Sequence, residues 1–301
     1  MSSEITGFMA ALIRKAEKVG LKLSDEKEIN YGVQLKFSKN EETIAVNIYF
    51  SKKKGISTVI GGSPKSPLRP LMQGILGKAD ELKREESHSW DLWAGTDESG
   101  KGDFFGALVV CGFILEKEKQ SELLKLGVKD CKLLKDEEVI DVAKKLHSRF
   151  RDNIEVLSLY PAKYNELYDK FRKNNQKLNE MLAWMHSRVI MNLQKKHDFD
   201  GAVVDKFASD KTLVNSLQGM KEIKLIHKIK AEEDLAVAAA SIIARYHFLN
   251  SINSISKKFG LDFPKGASNK VIKIGKEFAK QFGKDRLNEV AKIHFKTIDK
   301  I

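Results

Sequence analysis

Apolar and polar positions alternate along this chain with two different periods, and the changes between them outline its elements. Over residues 5–19, apolar side chains recur at Ile5, Phe8, Met9, Leu12, Ile13 and Ala16, one stripe of an amphipathic helix. Residues 28–37 and 43–50 alternate apolar with polar, the period of half-exposed antiparallel strands. A basic turn, Lys52-Lys53-Lys54-Gly55, leads to a third predicted strand at 57–60, and a helix is predicted over 70–82. Residues 81–89 (ELKREESHS) break the pattern; they are polar and charged and predict a linker that includes His88. Beyond it, residues 93–115 read as strand, tight loop, strand, and the run from Gly106 is so apolar that its strand should be buried on both faces.

The remaining pattern predicts an amphipathic helix over 136–150 with Asp136 as its N-cap, and a strand over 154–160 stopped by Pro161. A long helix is expected over 175–196, its Met181, Trp184 and Met185 stripe belonging to the core; His186 and His197 fit no metal-ligand spacing and receive no role. Short β-type runs at 202–205 and 223–229 precede an Ala-rich helix at 235–248, and two helical stretches broken near Gly283 fill 268–295. Strands interleaved with helices make the chain α/β, with an N-terminal domain over 1–80 and a larger one over 90–301.

Composition narrows the class. The 301 residues are 42% hydrophobic and 31% charged, an ordinary globular balance. Fifty-three Lys and Arg against 41 Asp and Glu give a formal +12, an excess that attracts polyanions such as nucleic acid, although a lysine-rich solvated surface gives the same count. Positions 1–80 hold 13 basic and 8 acidic residues, a net of +5. No apolar run approaches the roughly 20 residues of a membrane span and no signal peptide is visible, so no membrane partner is expected. Cys111 and Cys131 lack metal-ligand spacing and read as reduced thiols of a cytoplasmic protein.

Candidate chemistry concentrates at Asp97 and Glu98. Adjacent carboxylates repel one another and raise each other's pKa unless a proton or cation relieves them, and hard oxygen ligands suit Mg²⁺ or Mn²⁺. Gly95-x₄-Gly100-Lys101 matches most of a phosphate-binding P-loop, but Gly102 stands where that motif needs a hydroxyl, and two acids sit where phosphates would lie. A solvated acidic hairpin turn is the plainer alternative; Gly100 and Gly102 around Lys101 argue against it by letting backbone N–H groups approach a ligand. A third acid, Asp205, ends the apolar run at 202–205, where it could equally be a helix cap. Glu232, Glu233 and Asp234 crowd the start of the Ala-rich helix, where the helix dipole favours acids in any case.

The stretch Gly95-Thr-Asp-Glu-Ser-Gly-Lys-Gly-Asp103 resembles the signature of the type 2 ribonucleases H, and Lys101, where ribonuclease HII usually carries Arg, points to ribonuclease HIII. Four later passages agree: Gly127-Val-Lys-Asp-Cys-Lys132, Val203-Val-Asp205, Ala236-Val-Ala-Ala-Ala-Ser-Ile-Ile-Ala-Arg245 and Phe263-Pro-Lys-Gly-Ala-Ser268. The first of these has Cys131 where the family commonly has Ser. The resemblance implies a ribonuclease H-like domain, a central mixed sheet flanked by helices, preceded by a small α+β domain similar to one repeat of the TATA-box binding protein. It implies hydrolysis of the RNA strand of RNA–DNA hybrids, giving 5′-phosphate and 3′-hydroxyl ends; with no obligate protein partner evident, a monomer is expected. Two divalent ions would be held by Asp97, Glu98, Asp205 and Glu232, with Asp97 bridging them. Ser99, Gly100, Lys101 and Gly102 would read RNA phosphates and 2′-hydroxyls, and Lys129 and Lys132 would face the scissile region or backbone phosphates, a charged connecting loop being the plainer alternative.

Glu232 is preferred over Glu233 and Asp234 because Lys230-Ala231-Glu232 fits the family's frame and Glu is usual there in ribonuclease HIII. Asp234 stays open, since the connector to Ser241 looks about one residue short and Asp is what ribonuclease HII uses. Two other functions stand beside this one: incision at single ribonucleotides in DNA, as in ribonuclease HII, and non-catalytic hybrid binding. The N-terminal domain could grip substrate or merely cap the fold.

Overall fold

A computed structural model describes residues 3–51, 55–63, 66–81, 88–205, 223–228 and 231–301, in two compact units, Met1–Glu85 and Glu86–Ile301. The predicted basic turn at 52–54, most of the linker stretch and Lys230 lie outside the described residues.

In the first unit, helix α1 (Ser3–Lys18) precedes four strands, β1 (Lys22–Ile29), β2 (Gly32–Lys39), β3 (Glu42–Ser51) and β4 (Gly55–Ile60), and α2 (Leu68–Glu81) ends it. The strands form one antiparallel sheet in sequence order. Val33, Leu35 and Phe37 alternate with Gln34 and Lys36 along β2, so one face joins Leu12, Ala16 and Met72 in the core and the other stays open. Residues 28–37 are not one strand: Tyr31, at φ 65°, turns the chain between β1 and β2. β1 escaped the pattern because an edge strand that is mostly exposed (KLSDEKEI) needs no apolar alternation.

The second unit is built on a five-stranded mixed sheet of β5 (Leu92–Ser99), β6 (Leu108–Glu116), β7 (Ile154–Leu159), β8 (Gly201–Asp205) and β9 (Lys224–Lys228), in the order β7-β6-β5-β8-β9. β5, β6 and β7 pair antiparallel, while β5, β8 and β9 pair parallel. One face carries α3 (Gln120–Leu126), α4 (Asp136–Arg149) and α7 (Leu235–Phe259); the other carries α5 (Pro161–Lys173) and α6 (Leu178–Gln194). Residues 108–115 of β6 are accordingly buried without interruption. Helix α8 (Asn269–Phe282) and short 3₁₀ turns close a Phe-rich end of the unit.

Helix α7 crosses behind the site strand at very close range. A Cβ on Gly95 would stand 2.2 Å from the Val237 backbone nitrogen, so glycine on the strand and the alanine run of the helix are matched requirements. Contrary to the sequence-based expectation, α7 is long and apolar enough to cross a membrane by length and composition; 61% of its apolar window is buried inside the fold.

Three local expectations change. Lys135, not Asp136, is the N-cap of α4: Lys135 has extended backbone (ψ 160°) and Asp136 is already the first helical residue, with its carboxylate engaged by Arg245 at 2.6 Å and by Lys265. Pro161 does stop β7, and it also opens the unforeseen helix α5, proline being well suited to a first helical turn. After Gly283 the chain continues as 3₁₀ turns rather than a second long helix.

Candidate active site

Strand alternation sets the geometry of the acids. On β5, Thr96 and Glu98 face α6, where both meet His186, while Asp97 faces α7 and takes a hydrogen bond from Ser241. The Glu98 amide donates to Asp97 Oδ1 at 2.8 Å. β8 runs parallel beside β5, so its terminal Asp205 arrives at the same sheet edge; its Oδ1 accepts from the Ala231 amide at 3.1 Å, pinning the turn that carries Glu232. Asp97, Glu98, Asp205 and Glu232 thereby line one cavity of about 280 Å³, with Ser99 and Lys132 on its wall. Asp130, Cys131, Ser241 and Arg245 complete the lining.

The electrostatics differ from acid to acid. Burial first, then the charge of Glu98, pushes the Asp97 carboxyl up to about 8, against the hydrogen bonds it receives from Ser241 and the Glu98 amide. Burial also acts to raise Glu98, but the hydrogen bond and charge of His186, helped by Lys101 at 3.5 Å, outweigh it and hold Glu98 below its usual range. Asp205 is raised, by burial above all and then by Glu232 and Glu98. Lys132 Nζ sits 2.7 Å from Glu232 Oε1, and that bond raises the lysine.

The loops framing the cavity are tied together. Asp130 accepts from the Lys132 amide at 2.9 Å, orienting the Lys129–Lys132 loop, and Arg245 Nη1 binds the Cys131 and Leu134 carbonyls at 2.9 and 3.3 Å. The Phe263–Ser268 passage clasps the glycine loop: the Gly266 amide donates to Asp103 Oδ1 at 2.6 Å and the Phe104 amide to the Gly266 carbonyl at 2.9 Å. Gly100, at φ 89°, has no room for a side chain, since a Cβ would lie 2.1 Å from the Ala107 oxygen; a Cβ on Gly102 would meet nothing within 4 Å, which leaves that backbone open to a ligand.

Of the residues singled out in the sequence, Asp97, Glu98, Ser99, Lys132, Asp205 and Glu232 converge on the cavity, whereas exposed Lys129 does not line it. Lys101 reaches Glu98, and Gly100 and Gly102 shape the adjoining turn. Asp234 is committed elsewhere: it caps α7 through the Ala236 and Val237 amides at 2.8 and 3.3 Å, accepts from Trp93 Nε1 at 3.1 Å and meets His88 at 3.3 Å. Glu233 is exposed and does not line the cavity. His88 is no loose linker residue; it stacks on Trp90 with ring centroids 4.1 Å apart.

His186, Ser241 and Arg245 gained no individual role from sequence. A histidine within the buried stripe of α6 was the one available signal, because a polar ring there needs partners; the other two sit on a helix whose pattern announces packing alone.

Among the described residues no three His, Cys, Asp or Glu side chains form a ready metal cluster, each cavity acid being engaged by protein donors instead. The set is nevertheless anionic and all-oxygen, as hard divalent cations require, and the ionisation of Asp97, suppressed by burial first and then by the charge of Glu98, is what such a cation would restore. The residues fit a divalent metal.

The sequence profile of the family Ribonuclease HII matches residues 94–298, spanning both cavity strands and all four acids. The chain belongs to the type 2 ribonuclease H family. It is 41% identical to ribonuclease HIII of Chlamydia felis over 211 residues, covering 69% of this chain and 68% of that one, and 44% identical to ribonuclease HIII of Chlamydia pneumoniae over 211 residues, covering 69% of each. The ribonuclease HIII relatives make it an endoribonuclease of that branch. Among solved structures it resembles Aquifex aeolicus RNase H3 with a TM-score of 0.53, at 26% identity over 98% of each chain. Bst-RNase HIII in complex with Mn²⁺ gives a TM-score of 0.67 at 24% identity, over 98% of this chain and 94% of that one.

Proposed function

We propose that this endoribonuclease hydrolyses internal phosphodiester bonds in the RNA strand of RNA–DNA hybrids, leaving 5′-phosphate and 3′-hydroxyl ends. The observation that carries the proposal is the convergence of Asp97, Glu98, Asp205 and Glu232, from two parallel strand ends and the turn before α7, on one cavity. A binder of polyanions has no use for converging acids, so non-catalytic binding is the weaker reading. The four carboxylates would hold two divalent cations, Mg²⁺ or Mn²⁺, with Asp97 shared; a bound pair supplies water activation and charge neutralisation at the phosphate. The Mn²⁺ complex of Bst-RNase HIII supports that choice of ion.

The chain's own residues do the rest. Ser241 and the Glu98 amide fix the Asp97 carboxylate, and the Ala231 amide fixes Asp205. The backbone of Ser99–Gly102, with Lys101, would read phosphates and the 2′-hydroxyl that distinguishes RNA. Lys132, with 77% of its side chain exposed at the cavity wall, can turn from Glu232 to a substrate phosphate; Lys129, outside the lining, would contact backbone further away. The open face of the N-terminal sheet, with Gln34 bonded to Asn47 at 2.7 Å and Lys36 exposed, would grip the duplex. The reading carries with it a monomeric cytoplasmic enzyme.

The deciding experiment compares duplexes containing four ribonucleotides with duplexes containing one, in Mg²⁺ and in Mn²⁺. Preferential cleavage of the four-ribonucleotide duplex is expected. Preferential incision at the single ribonucleotide would favour the ribonuclease HII-like activity, and hybrid binding with no metal-dependent turnover would favour a binder.

A further inference from the structure

Glu98 is held in the cavity by a side chain wholly excluded from water. His186 lies on α6 with none of its side chain exposed, among Leu182, Met185, Val189 and Ile190. An imidazole in such surroundings is costly unless both ring nitrogens have partners. Here Nδ1 is 2.8 Å from Thr96 Oγ1 and Nε2 is 3.3 Å from Glu98 Oε2. Thr96 and Glu98 stand two residues apart on one face of β5, so the ring spans the strand on either side of Asp97. A carboxylate can only accept, so Nε2 donates to Glu98; in the neutral ring Nδ1 then accepts from the Thr96 hydroxyl. Lys101, the other partner of Glu98, is 3.5 Å away with 35% of its side chain exposed, a looser restraint.

We propose that His186 is a positioning residue for the reaction: the Thr96–His186–Glu98 bridge holds the Glu98 carboxylate at the cavity wall, oriented to take a divalent cation. The inference rests on the proposed role of Glu98 as a metal ligand. Packing alone does not account for it. A purely apolar side chain would fill the space on α6 without desolvating a ring, whereas this ring contacts both the inner strand residue and the acid that must be aimed. Partners of this kind orient metal ligands, and their loss commonly costs about 10–100-fold in metal affinity or activity.

The test uses the full chain and two readouts: Mn²⁺ binding without substrate, by calorimetry or by the paramagnetic resonance signal of the unbound ion, and kcat with KM on an RNA–DNA hybrid. His186→Asn keeps an amide near Thr96 but is too short for Glu98, and should weaken Mn²⁺ binding and kcat by roughly 10–100-fold with KM for the hybrid unchanged. His186→Gln places an amide nitrogen near the former Nε2 and should recover most of both losses. Thr96→Val, nearly isosteric, should move both readouts in the same direction by less. In a Glu98→Gln background, His186→Asn should weaken Mn²⁺ binding no further. Wild-type Mn²⁺ affinity and kcat in both His186→Asn and Thr96→Val would overturn the proposal, as would equal losses in the Asn and Gln variants that simply follow melting temperature. If His186→Asn does not fold, Thr96→Val decides alone. Should Glu98→Gln itself bind Mn²⁺ and cleave normally, the assignment of Glu98 fails instead, an outcome distinct from normal behaviour of the His186 variants.

Discussion

Lys132 and Glu232 are 100 positions apart in the sequence and 2.7 Å apart in space. The loop between α3 and α4, braced by Arg245, folds over the cavity and lays its lysine on the acid that precedes α7. With the lysine side chain 77% exposed, the pair contributes at most about 1 kcal/mol to stability. Lys132→Ala should therefore leave the melting temperature nearly unchanged while weakening hybrid binding and flattening its log–log salt dependence by about 0.9. Lys129→Ala, outside the cavity lining, should do less to turnover. Equal kinetic effects of the two substitutions would remove Lys132 from the cleavage site.

Asp97→Asn and Asp205→Asn should each reduce kcat by at least about a hundredfold, with hybrid binding retained or tightened because a negative charge near phosphate has been removed. Binding titrations beside single-turnover assays check this. Either variant turning over at close to the wild-type rate in saturating Mg²⁺ or Mn²⁺ would contradict the metal-cage assignment.

Glu232, Glu233 and Asp234 should separate cleanly. Glu232→Gln should lose turnover and keep its melting temperature, and exposed Glu233→Gln should be close to silent. Asp234→Asn should keep kcat and lose about 1 kcal/mol, since its carboxylate caps α7 and meets Trp93 and His88. A severe kinetic loss confined to Asp234→Asn would reverse the choice of fourth ligand.

Deleting residues 1–85 should leave a folded nuclease with a raised KM and a flatter salt dependence, because the unit ending at Glu85 has its own core. Extending the deletion through His88 should cost additional stability, as it removes the ring stacked on Trp90 and bonded to Asp234. Melting curves of the two truncations, with hybrid affinity measured across a salt series, test both statements. Unchanged KM and salt slope would make the first unit a cap rather than a grip.

Lys292 is fully buried, with Nζ donating to the Gly106 carbonyl at 2.7 Å, and burial pushes its ammonium down to about 7. In the unfolded chain it titrates near 10.4, so between those values the unfolded state binds the extra proton and stability rises with pH; below about 7 the cost of the buried charge is fully present. Lys292→Met loses its hydrogen bonds at every pH but escapes that cost. Its melting temperature relative to wild type should accordingly be more favourable at pH 6 than at pH 9. A difference that does not vary over this range would show that the folded and unfolded chains bind the same number of protons there, so that the buried lysine keeps its charge up to pH 9.

The sequence by itself determined whatever depends on neighbours in the chain. Helical periodicity marked α1, α4 and α6, short apolar runs ending in acids marked both cavity strands, and Asp97-Glu98 followed by paired glycines marked where the chemistry lies. It failed at β1, an exposed edge strand with no apolar face to register, and at Asp136, where a helix start invites a cap assignment and tertiary charges claim the side chain instead. Only the tertiary structure decided which acid near α7 looks into the cavity: Asp234 is turned away by Trp93, His88 and the amides it caps, contacts from 141 and 146 positions away and from its own helix, while Asp205 secures the turn bearing Glu232. Only it brought His186 and Arg245 to the site. Each sits on a helix whose sequence pattern records burial, and burial reports how much of a side chain is hidden, not what it is hidden against.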